Sequence, residues 1–559
     1  MANIRELIEK YALQNAVKYK AAPNAGAVMG KLMGEHPELR SRAKEVSPLV
    51  KEVLAEVEKT SPEEWQQRLK AVAPELLEEL SERKEPDKGL PPLEGAEKGV
   101  VMRFAPNPNG PPTLGSARGI IVNSEYVKKY GGKFILRFDD TDPVKKRPMP
   151  EAYGWYLEDC EWLGARPDEV ITASERIDLY YPIAEELILR GGAYVCGCPQ
   201  AVFKEHKDKG VACSHRGQSV AQNLELWRQM LDGRLAEGEA VLRVKTDMSH
   251  KDPAIRDWPA FRIVTAPHPL VGDRYRVWPL LDFESAVEDH LLGTTHILRG
   301  KDLTDSGIRQ RYLYSHLGWE YPKVIHWGRI KIHQFGSFST SKLRRAIEAG
   351  EYTGWDDPRV PTVRAMRCRG IRPEALRKFM IDLGVGETDI SISMDSIYAE
   401  NRKLIDPEAN RYFFVWDPVN LEIEGEVPAL AHAPRHPAID RGFREIPAGN
   451  NIFICRSDLE SLKPGDSIRL KDLCNVEILS LEPALARFAG KAVEKKMKII
   501  HWAPQNGLAI RVMKPDGVDE GVGEAGIAGE LNRVVQFERY GFVRINRLGT
   551  PILAYFAHR

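Results

Sequence analysis

VVMRFAPNPNGPPTLGSARGIIVNSEYVKKYGGKFILRFDDTD, residues 100–142, reads as an apolar strand, a Pro/Gly-rich turn opening a helix, and a second strand ending in carboxylates. A turn from Asn107 to Pro112 that feeds a helix near Gly115 and Ser116 leaves the first helical N–H groups unpaired and aimed at an anion in the cleft. Phosphate is the guest such a turn suits. The second strand, Phe134–Phe138, is short and apolar, as a parallel strand covered on both faces should be, and Asp139 stands at its carboxyl end. Ligands of open α/β sheets bind at that edge.

The chain has 559 residues, 43 % of them hydrophobic, enough for several cores in about three to five domains. No apolar run reaches membrane-spanning length and the first residues lack a secretory pattern, so the expectation is a cytoplasmic protein with no membrane contact. The 80 basic residues balance 80 acidic ones, which excludes a sequence-indifferent binder relying on a global positive field. Any nucleic-acid contact must come from local patches and shape.

Outward from the opening stretch, residues 1–98 read as a helical extension, with helices to about residue 85, Ser61 and Glu64 forming a capping box, and then a Pro/Gly/charge-rich linker. Their apolar stripes suit either a surface that docks another protein or a plain bundle. Alternating strands and helices fill 99–190 and 291–355, including VIHWGRIKI read as one strand, and 191–290 is an irregular insertion. Residues 356–405 are helical, clearest in PEALRKFMIDLG, and 406–559 are short alternating strands read as one or two barrels. The fold class is multidomain α/β plus all-β.

Seven cysteines do not make a disulfide framework. Cys196 and Cys198, then fourteen residues, then Cys213 and His215, fit a closed tetrahedral structural zinc shell of three sulfurs and one nitrogen, with His206 as a competing ligand and reduced, metal-free thiols as the plainer alternative. A second loop, Ser337 to Arg345, offers hydroxyls and Lys342, a set able to close over a triphosphate and neutralise departing pyrophosphate.

The first turn, the carboxylate strand and this loop, in that order, resemble a class I aminoacyl-tRNA synthetase of the glutamyl/glutaminyl subgroup with a Rossmann-type catalytic domain. RFAPNPNGPPTLGS stands in the place of the family's first ATP signature, RFDDTDP of its amino-acid strand, and FSTSK of its second ATP signature. WDDPRVPTVRAMRCRG, KIIHWAP and FERYGFVRIN extend the likeness over about 460 residues, and the two-barrel tail resembles the archaeal and eukaryotic branch of glutamyl members. The resemblance implies ATP contacts at Pro106, Asn107, Pro108, Asn109, Gly110, Pro111, Pro112, Thr113, Leu114, Gly115, Ser116, Ser339, Thr340, Ser341 and Lys342. Of these, Thr113, Ser116 and Lys342 would be catalytic.

Thr113 and Ser116 replace two histidines of the family pattern, Ser339 replaces a lysine, and Leu281 stands where a tyrosine usually faces the amino acid. Burying a substrate carboxylate needs a fixed cation. Arg299, ending HILRGKD, sits where glutamyl members carry arginine, Arg103 could pair with a substrate carboxylate and Asp139 could hold the α-ammonium, with an internal Arg–Asp bridge as the plainer alternative for each. The expected function is ligation of L-glutamate to tRNA(Glu) through an adenylate, with Mg2+ accompanying ATP, a structural Zn2+ in an inserted acceptor-binding domain, a helical stem-contact region and anticodon-binding barrels. Charging of tRNA(Gln) is left open. The alternatives are a glutaminyl member and a catalytically silent tRNA-binding paralogue. In the barrels, Phe537, Arg539, Tyr540, Phe542 and Arg544 would suit stacking of unpaired bases, or else an ordinary barrel core.

Overall fold

The computed structural model describes residues 2–19, 22–74, 76, 89–336, 339–493 and 497–559. Ser337 and Phe338 of the second ATP-signature loop, and the predicted helical and linker residues 77–88, lie outside the described residues. The chain divides into two units, Met1–Lys88 and Gly89–Arg559.

The first unit holds α1 (Ala2–Tyr19), α2 (Ala25–Glu35), α3 (Ala43–Glu58) and α4 (Pro62–Val72) around buried Ile8, Leu13, Leu32, Val50, Val57 and Leu69. The capping box that starts α4 is present: Glu64 N–H donates to Ser61 Oγ (3.3 Å) and Ser61 N–H to Glu64 Oε2 (3.0 Å).

In the second unit the opening stretch folds as β1 (Val100–Phe104), α5 (Leu114–Tyr130) and β2 (Gly132–Phe138). β1 and β2 pair in parallel from Val100 opposite Gly132 to Phe104 opposite Leu136. After α6 (Pro150–Trp162), β3 (Glu169–Thr172) and α7 (Ile177–Leu189), the chain leaves the sheet. The insertion is a four-stranded antiparallel sheet, β4 (Ala193–Cys196), β5 (Val241–Val244), β6 (Pro259–Ile263) and β7 (Val277–Pro279), carrying α8 (Gln200–Lys209) and α9 (Val220–Leu231). The chain returns through α10 (Leu281–Leu291), β8 (His296–Gly300), α11 (Thr304–Leu317) and β9 (Lys323–Trp327). The sheet order is β3-β2-β1-β8-β9, all parallel, so the winding reverses between β1 and β8 and opens a crevice at their carboxyl ends.

One strand expectation is corrected. VIHWGRIKI breaks after Trp327, and β10 (Ile330–Ile332) pairs instead with β11 (Ile390–Ile392) in a separate two-stranded sheet. The cause is backbone crowding at Gly328, where a Cβ would lie 2.0 Å from the Thr388 carbonyl oxygen and whose N–H donates to Gly386 O. Around this sheet lie α12 (Thr340–Glu348), α13 (Val363–Arg369), α14 (Pro373–Leu383) and α15 (Asp395–Ile405); α14 starts on Pro373 and is capped by Gly384, where the sequence put both ends.

The tail forms two seven-stranded, barrel-like sheets. The chain leaves the first at Trp416, completes the second between Pro418 and Pro504, and returns to finish the first by His558. Base stacking on the aromatic run is overturned: Phe537, Tyr540 and Phe542 are buried, and Arg539 is held bidentately by Asp458. Phe537 and Phe542 fill inward positions of neighbouring strands, and Arg539 and Tyr540 lie in the turn between them.

Candidate active site

A cavity of about 200 Å³ lies at the crevice, lined by Arg103 of β1, Asp139 after β2, Leu281 and Ser285 of α10, Arg299 and Gly300 of β8, Gln310 of α11 and Trp327 of β9. Parallel strands deliver all three predicted amino-acid-binding residues to one wall. For Arg103 and Asp139 the plainer alternative, an internal Arg–Asp bridge, is present, each with a different partner. Arg103 Nε and Nη2 donate to the two carboxylate oxygens of Asp289 at 2.7 and 3.1 Å, and Asp139 is gripped by Arg137 through Nε (2.6 Å) and Nη2 (3.2 Å). Arg137 Nη1 also reaches Asp289, at 2.9 Å.

Burial opposes ionisation of Asp289, but Arg103 and Arg137 overcome it and hold the carboxyl down at about 2. Behind them, fully buried Glu284 has no hydrogen-bond partner for either oxygen, and burial pushes it well above the usual carboxylate range. Arg137 Nε lies 3.8 Å from its Oε1 and works against that shift. Arg103 and Arg137 are compensated by Asp289 and Asp139.

Arg299 is not. It is 6 % exposed, its Nη1 donates to the neutral Gln310 Oε1 (3.0 Å), and its buried Nε has no partner. Burial, then repulsion from Arg103, lowers its pKa. Tyr321 OH donates to the same Gln310 oxygen at 2.7 Å. A guanidinium donates only, so this fixes the amide: oxygen toward Arg299, NH2 away from it.

The turn 106–112 is stitched to both neighbours. Asp139 N–H donates to Pro106 O, Asn107 Nδ2 to Asp139 O, Met149 N–H to Pro108 O and Asn109 N–H to Asn107 O. Buried Asn107 Oδ1 has no partner. The helix that follows differs from expectation, because its N-terminus is largely satisfied. Thr113 is the N-cap and accepts from Ser116 N–H at 3.3 Å, Leu114 N–H donates to Pro361 O, and Ala117 N–H to Thr113 O. Only Gly115 in this first turn keeps an N–H without a protein partner among the described residues. Pro111 and Pro112 have none to offer. The Thr113 and Ser116 hydroxyls lie 3.3 Å apart.

Gly115 opens on a groove of about 610 Å³ shared with Gly300, Asp302, Trp327, Arg329 and Lys331, so this groove adjoins the amino-acid cavity through Gly300 and Trp327. The second loop also reaches the turn: a Cβ on Gly110 would meet Thr340 Cγ2 at 2.4 Å and the Trp355 ring at 3.0 Å. Ser339 caps α12 by accepting from Lys342 N–H, which leaves Ser341 and the Lys342 side chain exposed. Lys342 lines a neighbouring cavity of about 900 Å³ with Arg345, Tyr352 and Arg359, not the groove of Gly115. Sequence reasoning missed Arg137, Asp289, Gln310, Tyr321 and Lys331; Arg137 lay inside the quoted strand, two residues before Asp139.

In the insertion, the ligand atoms of Cys196, Cys198, Cys213 and His215 all lie within 4.8 Å of one another. Cys196 and Cys213 sulfurs are 3.9 Å apart and Cys198 Sγ is 3.3 Å from His215 Nδ1. A tetrahedron with metal–sulfur bonds of about 2.3 Å has edges of about 3.8 Å. Burial and the neighbouring Cys196 push the Cys198 thiol up to about 12, so a bound cation is what would hold it as thiolate. The cluster could hold a metal such as zinc; His206 is not part of it.

Residues 99–407 match the family described as tRNA synthetases class I (E and Q), catalytic domain, and residues 409–487 match its anti-codon binding domain. The chain is 70 % identical over 560 residues to the glutamate–tRNA ligase of Methanothrix thermoacetophila, covering 100 % of this chain and 99 % of that one. It is 60 % identical over 559 residues to the enzyme of that name from Methanococcoides burtonii (99 % and 98 % covered) and 59 % over 561 residues to that of Methanosarcina acetivorans (99 % and 98 %). No helix among the described residues is long and apolar enough to cross a membrane.

Proposed function

The chain belongs to the class I tRNA synthetases of the E and Q group, and from that premise we infer that it is a glutamate–tRNA ligase, taking ATP, L-glutamate and tRNA as substrates. The observation that carries the amino-acid assignment is Arg299, a buried guanidinium with no carboxylate partner at the switch point of the sheet. A γ-carboxylate satisfies it; the amide of glutamine leaves a buried cation unpaired. Asp139, although held by Arg137, keeps its place on the cavity wall and is the anion for the substrate α-ammonium.

Glutamate seated there presents its α-carboxylate toward the groove of Gly115, where the ATP α-phosphate would lie for attack and pyrophosphate release. The adenylate then esterifies the tRNA's terminal ribose. No protein nucleophile is needed, and the residues act by positioning and by stabilising charge on phosphate. Gly115 N–H is the backbone donor for phosphate, Asn107 the buried polar anchor of the turn, and Thr113 and Ser116 shape the helix end. The contact of Thr340 with Gly110 supports closure of the α12 loop, carrying Ser339, Ser341 and Lys342, over the turn 106–112. Mg2+ arrives with ATP and supplies charge neutralisation of its phosphates; Asp302 is the carboxylate on that groove.

We assign residues 191–290 to acceptor-end binding around a structural zinc held by Cys196, Cys198, Cys213 and His215, residues 356–405 to tRNA stem contact and 406–559 to the anticodon. The catalytic halves, 99–190 and 291–355, form the Rossmann-type domain of a cytoplasmic enzyme. The helical extension, which ends by Lys88 rather than at residue 98, offers a surface for another protein. The test is aminoacylation of purified tRNA(Glu) and tRNA(Gln) with labelled glutamate against glutamine. Glutamate should be transferred at least about a hundredfold better; equal transfer of glutamine would end the assignment. Transfer of glutamate to tRNA(Gln) in the same assay reports whether both tRNAs are charged.

A further inference from the structure

His268 is a buried ring, 2 % exposed, in the connection between β6 and β7 of the insertion, although Pro267 and Leu270 beside it are exposed. Pro269 favours an extended backbone in the residue before it. The His268 N–H and C=O pair with Gly272 O and N–H at 2.8 and 2.9 Å, closing the loop 268–272. Inside that loop Nδ1 accepts from Leu270 N–H (3.2 Å) and Val271 N–H (3.5 Å). An accepting ring nitrogen carries no proton, so the proton sits on Nε2, and burial, which lowers the pKa of the ring, favours the same neutral form. Nε2 donates out of the insertion, to the Asp140 carbonyl oxygen at 2.8 Å, across 128 positions of sequence.

Asp140 is fully buried and does not line the amino-acid cavity, whereas its neighbour Asp139 does. The Asp140 carboxylate accepts from Ser174 N–H (2.8 Å), Ser174 Oγ (2.7 Å) and Tyr153 OH of α6 (2.6 Å). One peptide earlier, the Asp139 carbonyl accepts from Asn107 Nδ2 at 3.0 Å. Two successive carbonyls are thus held by side chains from distant parts of the chain, Asn107 of the turn 106–112 and His268 of the insertion. The segments joined by His268 meet twice more, where Arg147 Nη1 donates to Pro267 O (2.7 Å) and Arg262 Nη2 to Asp142 Oδ1 (3.0 Å). The ring also lies against Trp278 of β7, with centroids 5.2 Å apart, shortly before Leu281 on the cavity wall. The Nδ1 bonds serve the loop itself; the Nε2 bond serves the catalytic half.

We propose that His268 is a positioning residue for the amino-acid step: from the insertion, its Nε2 donor fixes the strand end on which Asp139 meets the substrate α-ammonium. The proposal rests on the role given to Asp139 above. A carboxylate that drifts from the ammonium loses the geometry on which binding depends.

The test is steady-state aminoacylation by the full-length chain, with each substrate varied in turn. His268→Asn keeps an acceptor where Nδ1 stands but ends short of Asp140. His268→Gln carries an amide N–H out to the place of Nε2 but offers the loop nothing in place of Nδ1. His268→Asn should raise the glutamate KM about tenfold and leave the ATP and tRNA KM values within about twofold, whereas His268→Gln should keep the glutamate KM within about threefold of the parent. A ring that only shapes its loop gives the reverse order, with His268→Gln the impaired variant, and that order would overturn the proposal. KM does not depend on the fraction of the chain that is folded. Tyr153→Phe, which releases Asp140 from the side of α6 without touching the insertion, should raise the glutamate KM about threefold. An unchanged glutamate KM in both His268→Asn and Tyr153→Phe, with Asp139→Asn raising it about a hundredfold or more, would overturn the positioning role alone. Should Asp139→Asn leave the glutamate KM unchanged, the reading of Asp139 falls and the proposal with it.

Discussion

At the scale of single residues, the amino-acid cavity works by one imbalance among five buried charges. Asp289 and Asp139 neutralise Arg103 and Arg137, and Arg299 is held only by the neutral oxygen of Gln310. Introducing Gln310→Glu would give that guanidinium an internal carboxylate. The glutamate KM should then rise by about a hundredfold or more, with a smaller rise for glutamine, while Gln310→Met should raise it less because no competing anion appears. Steady-state kinetics with both amino acids read the difference. Lys342 is exposed at the start of α12. Its replacement by Ala should slow adenylate formation by about a hundredfold or more and leave tRNA affinity within about twofold, checked by single-turnover adenylation beside tRNA binding; equal loss of both would remove it from the phosphate chemistry.

At the scale of elements, α6 carries a cost. Asp159 is fully buried there with neither carboxylate oxygen bonded, and burial raises its pKa to about 7 against the pull of Arg364 and Arg367. A carboxyl near 3.9 when unfolded and near 7 when folded contributes stability that is complete below about pH 4 and lost as pH rises through 7. Asp159→Asn should therefore raise stability by on the order of 3 kcal/mol at pH 8 and by little at pH 4, as thermal melts at the two pH values would show. The cysteine cluster gives the opposite case, an element secured from outside. Chelation of a bound zinc should lower the melting temperature by about 5 °C or more and loosen amide protection across 193–279, with little effect on exchange in the barrels. Local pattern made such elements legible. The capping box of α4, Pro373 and Gly384 bounding α14, and the Cys/His spacing are all set by residues within a few positions of each other. What depended on distant chain was not readable: Pro361 fills the first N–H of α5, Asp289 captures Arg103 across 186 positions, and Gly386 and Thr388 force the break at Gly328.

At the scale of the whole molecule, alternation in the tail announced β structure but could not say which strands share a sheet, because the first sheet takes strands from both sides of the second. It also could not separate an inward aromatic from one offered to RNA, and Phe537 and Phe542 proved to be core. The division at Lys88 and Gly89 has a simpler physical consequence. The helical unit closes its own core around Ile8, Leu13, Val50, Val57 and Leu69, whereas Leu90 and Leu93 already pack with Val100 and Ile120 in the second unit. Each unit therefore has a hydrophobic core of its own among the described residues. A chain beginning at Gly89 should fold, keep the melting transition of the catalytic and barrel regions within about 3 °C, and charge tRNA with glutamate at a kcat within about tenfold of the full chain. Differential scanning calorimetry of both forms, read beside aminoacylation, is the measurement. Loss of the main transition on truncation would mean that the helical unit is part of the cooperative core rather than an appended body.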